Sequence, residues 1–428
     1  MLVLASFSLV ANAPLHEPIT FDQFTKSFVA GYRALHLPSL QLSYKENLDA
    51  IQTADSLKKQ EEFFITIQQD LKAFDSALLT EAQKDDYNQI SYETNLNLER
   101  IILEKRWISG KHDSVTTGGL YGIASGKAWY GYFLKRWVAA EVSPNEIYAF
   151  GLKEVQRVKD HIEGVRKKTG LSEKDFYDHL NDDSFFLKDR NAVQQAFEKT
   201  KQTVYNNLPT VFNVQNVPVL SITKGISEAL VQTPGYYSNN TFYYNYFNKP
   251  YNKRQVDWLF IHEAVPGHHY QSSIARAVNQ SEVHRLFYYL GFSEGWAAYA
   301  EELGKAIGLY QTPYDELGKY EWDIVRSVRV PLDVALNYYG WTDAQALAFW
   351  KENIRNQDDI AMREINRMRR WPAQVVTYKY GAAQIMLWRD ELMKKQQQKF
   401  DIRDFHDKVL NRGSLPFFMI KKHILGEA

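Results

Sequence analysis

Trp258-Leu259-Phe260-Ile261-His262-Glu263-Ala264-Val265-Pro266-Gly267-His268-His269-Tyr270-Gln271 sets three histidines and a carboxylate directly behind an apolar run. A His-Glu pair on a helix, with a further histidine soon after it, is how many zinc hydrolases hold their metal and carry their base. In the usual His-Glu-x-x-His the second histidine comes four residues on, one turn later and on the same face. Here that position is Pro266. On an unbroken helix at about 100° per residue, His268 would point roughly 120° away from His262. His269 would return to the same face, but about 10 Å further along the axis. Two nitrogens that must each stand about 2.1 Å from one zinc ion cannot be so far apart. Either the histidines share no metal, or the helix is interrupted between them. Proline removes a backbone donor and clashes with the preceding turn, and glycine admits unusual dihedrals. Pro266-Gly267 therefore predicts a break that brings His268 to the second ligand position, with His269 the alternate.

A catalytic zinc takes three protein ligands and keeps one position open. The outstanding third ligand is Glu294, in Ser293-Glu294-Gly295-Trp296-Ala297-Ala298-Tyr299, where an unpaired carboxylate in apolar surroundings would be costly. Glu301 and Glu302, about two turns on, are expected behind the ligands or at the surface. Glu263 points to a different side of the helix from His262, which suits a general base for water at the metal. An oxyanion forming opposite it needs a donor, and Tyr378 and Tyr380 are the candidates. In a chain with 27 tyrosines, core packing is their competing role. For the histidines the plain reading is satisfied core or surface residues, which the close coincidence of His, Glu, Pro-Gly and His-His argues against.

Outward from the motif, the 428 residues are 45% hydrophobic, enough for a large core in one elongated domain or two lobes sharing a cleft. Lys+Arg and Asp+Glu each number 51, which argues against a nucleic-acid partner, since that would want a basic excess. The absence of cysteine excludes disulfides and thiolate metal sites. Residues 1–13, ending Ala11-Asn12-Ala13, read as the apolar part of a secretory signal without its basic start; this implies a periplasmic or secreted protein, or a cytoplasmic one if the segment is no signal. No later stretch is long and apolar enough to span a bilayer.

From Phe21 to Trp107 the spacing predicts amphipathic helices, among them Ser56–Leu79 with Phe63, Phe64, Ile67, Leu71 and Phe74 in helical register. Ser109–Gly126 reads as a loop. Its Gly122-Ile123-Ala124-Ser125-Gly126-Lys127 is one residue short of a phosphate loop and lacks the Ser/Thr. Ser143-Pro144-Asn145-Glu146 is a helix start. Val211–Val217 and the tyrosine-rich Gly235–Phe247, with Asn239-Asn240 as a turn, predict a small sheet or hairpin. Tyr236, Tyr237, Tyr243 and Tyr244 are its candidate substrate contacts, because a strand beside such a cleft can pair with an extended peptide. From Asn252 onward nearly everything reads as helix.

The order His262-Glu263-x-x-Pro266-Gly267-His268-His269-x-Gln271, Glu294-Gly295-Trp296-Ala297-x-Tyr299, Tyr378-x-x-Gly381, Phe400-Asp401-Ile402-Arg403-Asp404-Phe405-His406 and Gly413-Ser414-Leu415-Pro416 resembles the bacterial family called domain of unknown function 885, from about Gly126 to the C-terminus. That family is similar to the mostly helical zinc peptidases of the thimet oligopeptidase and carboxypeptidase Taq type. The resemblance implies a gluzincin-like, two-lobed helical fold with a long cleft. It also implies His262, His268 and Glu294 as ligands of one Zn2+ per chain, with Glu263 as base. Two departures stand out: Asn337 replaces a histidine of the family pattern that lines the cleft, and Ala373 replaces a glycine. The expectation is a mainly α protein, one helical domain over 14–428 with an N-terminal part to about 125 and a zinc-site part from about 126. Its small β element lies next to the active-site helix, and it is expected to hydrolyse short peptides. A hydrolase of non-peptide amides or esters, or a peptide-binding protein that has lost turnover, would use the same residues.

Overall fold

The computed structural model describes residues 19–110, 118–227, 233–247 and 249–426. The segment read as a signal, 1–13, lies outside the described residues. The chain is mainly helical with small sheets. Many helices begin as their sequences dictate. Thr20/Gln23, Thr80/Gln83, Ser143/Glu146, Thr312/Asp315 and Thr342/Gln345 each form a capping box, in which the two side chains satisfy otherwise orphaned N–H groups. The start expected at Ser143-Pro144 opens the helix Pro144–Thr169.

The helix expected over Ser56–Leu79 stops at Asp70 and continues as short 3-10 turns, Leu71–Ala73 and Ser76–Leu78. Asp75 caps the second of these turns, its carboxylate accepting from Ala77 N at 2.9 Å, a local bond that keeps the segment from rejoining the helical ladder.

Two buried apolar clusters organise the packing. The larger runs from Phe21 to Leu425 and includes Leu259, Phe260 and Ile261 of the motif. The smaller joins Val155, Val158 and Val165 to Trp350, Ile365 and Met368. The long helix Pro313–Val334 serves both, giving Val330 and Val334 to the first and Ile324, Val325, Val328 and Leu332 to the second. Its internal Pro331 is accommodated by Gly151 on Pro144–Thr169, where an added Cβ would stand 2.5 Å from the proline Cδ. Leu290–Ala300 crosses Val376–Gln396 at Gly295 and Gly381. A Cβ on Gly295 would lie 2.5 Å from the Gly381 Cα, so only glycine allows that approach.

The predicted hairpin is present. Gly235–Ser238 pairs antiparallel with Thr241–Tyr244, in the register Tyr236–Tyr243 and Tyr237–Phe242, through an Asn239-Asn240 turn with φ of 47° and 60°. Such a primed turn matches strand twist and tolerates asparagine. Ser221–Lys224 joins Thr241–Tyr244 in parallel, which leaves Gly235–Ser238 an edge strand against the motif helix. The strand expected over Val211–Val217 does not form. Its backbone bonds to side chains instead, Val211 O to the His406 ring and Gln215 N to the Tyr270 hydroxyl, and Pro218 removes a ladder donor. Among the described residues, no helix is long and apolar enough to cross a membrane.

Candidate metal centre

The motif helix Val256–Glu263 is buried along most of its length and ends at Glu263. A second helix, His268–Ala277, begins after four residues. Ala264 (φ −109°, ψ −105°) and Gly267 (φ −73°, ψ −132°) leave helical space between them, and the Val265–Pro266 peptide is cis. Gly267 N donates back to Ile261 O at 2.9 Å, and the Trp296 indole donates to Pro266 O at 2.8 Å. A Cβ on Gly267 would meet His262 O at 2.0 Å and Ile261 O at 2.2 Å. The break predicted from Pro266-Gly267 is therefore built on a glycine that nothing larger can replace without displacing backbone.

The break folds His268 back beside His262, their ring centroids 4.9 Å apart. Glu294 Oε2 stands 3.7 Å from His262 Nε2 and 3.4 Å from His268 Nε2, and one ligand atom from each of the three residues lies within 4.8 Å of the others. Ligand atoms around a tetrahedral zinc with bonds of about 2.1 Å stand about 3.4 Å apart. The donor set and its spacing thus fit such an ion.

Behind His262, Glu301 Oε1 accepts the Nδ1 proton at 2.8 Å and a second hydrogen bond from Arg326 Nη1 at 2.5 Å. This holds the ring with Nε2 facing Glu294, the arrangement by which a carboxylate orients a metal-binding imidazole. Burial and Arg326 push the His262 pKa down, but Glu294, Glu301 and Glu263 outweigh them and raise it to about 9. Burial alone would raise Glu294; the two imidazoles hold it far below the usual carboxylate range instead. A cluster that attracts positive charge this strongly suits a cation. Glu263 is half-buried, and its burial raises its pKa above the ordinary carboxylate value.

Tyr378 is brought to the cluster, its ring 6.4 Å from that of His262 and inclined by 23°. Tyr380 is not. Two residues on is roughly 200° round the same helix, and it packs against Phe150 and Phe417 with its hydroxyl pushed by burial to about 12. The alternate ligand His269 is also corrected. Its Nε2–H donates to Pro218 O at 2.9 Å and its Nδ1 accepts from the Tyr237 hydroxyl at 3.2 Å, so both ring nitrogens are engaged away from the cluster.

Of the four tyrosines expected to meet substrate, Tyr237 lines an open pocket of about 570 Å3 together with His268, Gln271, Tyr288, Ser293 and Glu294. Tyr236 and Tyr243 stack on each other at 4.8 Å, and Tyr244 is wholly buried against Phe197. Asn337 does not line a cleft either. It is buried, donates to Asp333 O and Met368 O, and accepts from Leu120 N, clasping the turn before the helix Gly126–Val138.

Sequence reasoning left Glu301 between two roles and passed over Arg326, Arg329 and the Trp296 indole. A signal was present for the arginines: two charges three residues apart among Ile324, Val325, Val328 and Val330 mark cations that must be buried and partnered.

None of the curated proteins matches the chain. Two of the solved structures that share its fold have TM-scores above 0.65. One is titled a "putative lipoprotein" from Colwellia psychrerythraea, with a TM-score of 0.68 and 22% identity over 95% of this chain and 74% of that one. The other is titled a "putative lipoprotein of unknown function" from Shewanella oneidensis, with a TM-score of 0.74 and 16% identity over 95% of this chain and 100% of that one. The profile of DUF885, described as "Bacterial protein of unknown function", matches residues 107–424, so the chain belongs to the DUF885 family.

Proposed function

We propose that the protein is a zinc-dependent hydrolase acting on short peptides, with one ion held by His262, His268 and Glu294. The observation that carries this reading is the convergence of those three ligand atoms within 4.8 Å beside the half-buried Glu263. When bound, zinc supplies Lewis-acid polarisation of a carbonyl and acidification of water. Glu263 takes the proton of the attacking water and returns it to the leaving amine, a task its burial-raised pKa suits. The Tyr378 hydroxyl donates to the oxygen on which negative charge develops. Glu301 holds the His262 ring throughout. Among the described residues the strand Gly235–Ser238 pairs on one side only, an edge to which an extended peptide can add, which favours peptides over other amides.

The reading sets the chain beside the helical zinc peptidases of the thimet oligopeptidase and carboxypeptidase Taq type, with substrate held between two lobes; the motif order supports it. An extracytoplasmic location accords with two fold relatives described as lipoproteins.

Metal analysis of the purified protein, together with Glu263→Gln assayed on a peptide mixture, tests the reading. Both proteins are expected to hold one zinc, and turnover is expected to fall at least about 100-fold in the variant. Wild-type protein that takes up no zinc, or a variant with undiminished activity, overturns it.

A further inference from the structure

The cavity of about 570 Å3 that opens beside His268 and Glu294 takes one wall from a single helix. His268, Gln271, Ser272, Ala275 and Arg276 line it, at the spacing i, i+3, i+4, i+7 and i+8 that sets residues on one helical face. The second motif helix thus presents one stripe to the cavity, with a proposed metal ligand at its start and a guanidinium near its end. The rise between the two is about 12 Å, which an extended peptide covers in three to four residues. Helical side chains lean back toward the N-terminus, so Arg276 reaches part of the way toward His268.

The lining is rich in donors and poor in negative charge. Among the described residues its one carboxylate is Glu294, which already answers to the His262 and His268 imidazoles. Arg276 is exposed, and its Nη2 donates to neutral oxygens, Ser273 Oγ at 3.1 Å and Asn240 Oδ1 at 3.4 Å. Arg285, on the same cavity, is exposed and forms no side-chain hydrogen bond or ion pair among the described residues. Two free guanidiniums alone would be ordinary hydrated surface. Gln271 adds a built donor: it is 4% exposed, and its Oε1 accepts from Ser293 Oγ at 3.5 Å. Its Nε2 has no partner among the described residues and is open to the cavity it lines. A carboxylate matches this set, since a guanidinium can take it with two parallel bonds and an amide N–H can donate to it.

We propose that Arg276 and Arg285, with the Gln271 amide, form a subsite for a substrate carboxylate about two to four residues from the bond at the metal cluster. Its part in turnover rests on the hydrolase reading; the binding itself does not. Two sources share this chemistry, a free C-terminal carboxylate and an acidic side chain.

The test titrates metal-free, full-length protein by calorimetry at low ionic strength, so that no zinc competes for the carboxylate. The probes are N-acetyl-Ala-Ala-Ala, its C-terminal amide, and N-acetyl-Ala-Ala-Glu amide. At least one acid is expected to bind about five-fold or more tighter than the neutral amide, which two exposed ion pairs together supply. The acid that does so names the source. Replacing both arginines, Arg276→Gln with Arg285→Gln, is expected to erase the preference. Gln271→Met, which keeps the length of the side chain and removes the donor, is expected to weaken it. Equal binding of all three probes, binding of none, or a preference that survives the double replacement overturns the subsite. So does an undiminished preference in a folded Gln271→Met protein; if that variant does not fold, the two exposed arginines decide. Acid preference without turnover of any probe by the zinc-loaded protein keeps the subsite and removes the hydrolase. Turnover without acid preference does the reverse.

Discussion

Replacing Gly267 by alanine tests whether the broken helix sets the metal geometry. The new Cβ would stand 2.0 Å from His262 O, whereas ordinary contact begins at 3.4 Å; the shortfall, 3.4 − 2.0, is 1.4 Å. The obstructing atoms are backbone carbonyls of Ile261 and His262, so no side chain can swing away to make room. Relief must come from moving one motif helix relative to the other. His268 rides on the second helix and His262 on the first, so the displacement falls between two of the proposed ligands. Metal–ligand distances tolerate only about 0.2 Å. Zinc affinity is therefore expected to fall by at least the 10- to 100-fold typical when supporting residues of a metal site are disturbed. Metal-free stability is expected to drop by about 1–3 kcal/mol through overpacking. Competition titration against a zinc-binding dye measures the first, and urea unfolding of the metal-free protein the second. A Gly267→Ala protein that binds zinc within two-fold of wild type would refute the account of the break.

Three further outcomes are expected. Glu301→Gln leaves Arg326 as a buried cation without its partner, at a cost of about 3–5 kcal/mol; adding Arg326→Met should recover much of the loss, and urea denaturation of both variants measures it. Burial raises Asp333 to about 7, while an unfolded aspartate titrates near about 3.9. The folded chain then holds the extra proton between those values, so this group's stabilisation is full below about pH 4 and is lost as pH rises through 7, by about 4 kcal/mol at most. Asp333→Asn should flatten that descent in unfolding midpoints taken from about pH 3 to 8, about one unit beyond the titrating range at each end. Finally, Gly295→Ala should lower the melting temperature, since its Cβ meets the Gly381 backbone. Gly131→Ala, with nothing within 4 Å and a mid-helix position, should raise stability by about 0.5–1 kcal/mol.

The clustering of His262, His268 and Glu294 was legible because its signals are local and chemically costly to ignore: a proline-glycine break inside a histidine cluster, and a carboxylate at Glu294 among apolar neighbours. The hairpin was legible through Asn239-Asn240, whose positive φ values asparagine tolerates. Other assignments failed where the answer depends on what lies across from a residue. Tyr378 and Tyr380 look alike in sequence, yet one faces the His262 ring and the other Phe150 and Phe417. His269 looked interchangeable with His268 until Pro218 and Tyr237 were seen to take both its nitrogens. Asn337, read as a cleft position, answers to Leu120, more than two hundred residues away in the chain. Periodicity reports which face a side chain occupies; it carries no record of the element packed against that face.

His269 also ties two parts of the molecule into one mechanical unit. Its ring is bonded on one side to Pro218, just before the strand Ser221–Lys224, and on the other to Tyr237 of the edge strand, while its backbone adjoins His268. Any displacement of the edge strand is thus delivered through a hydroxyl–imidazole bond to the residue beside His268, the second of the proposed ligands. Linkage makes the exchange reciprocal: whatever factor an added strand at that edge imposes on metal affinity, the metal imposes on the binding of that strand.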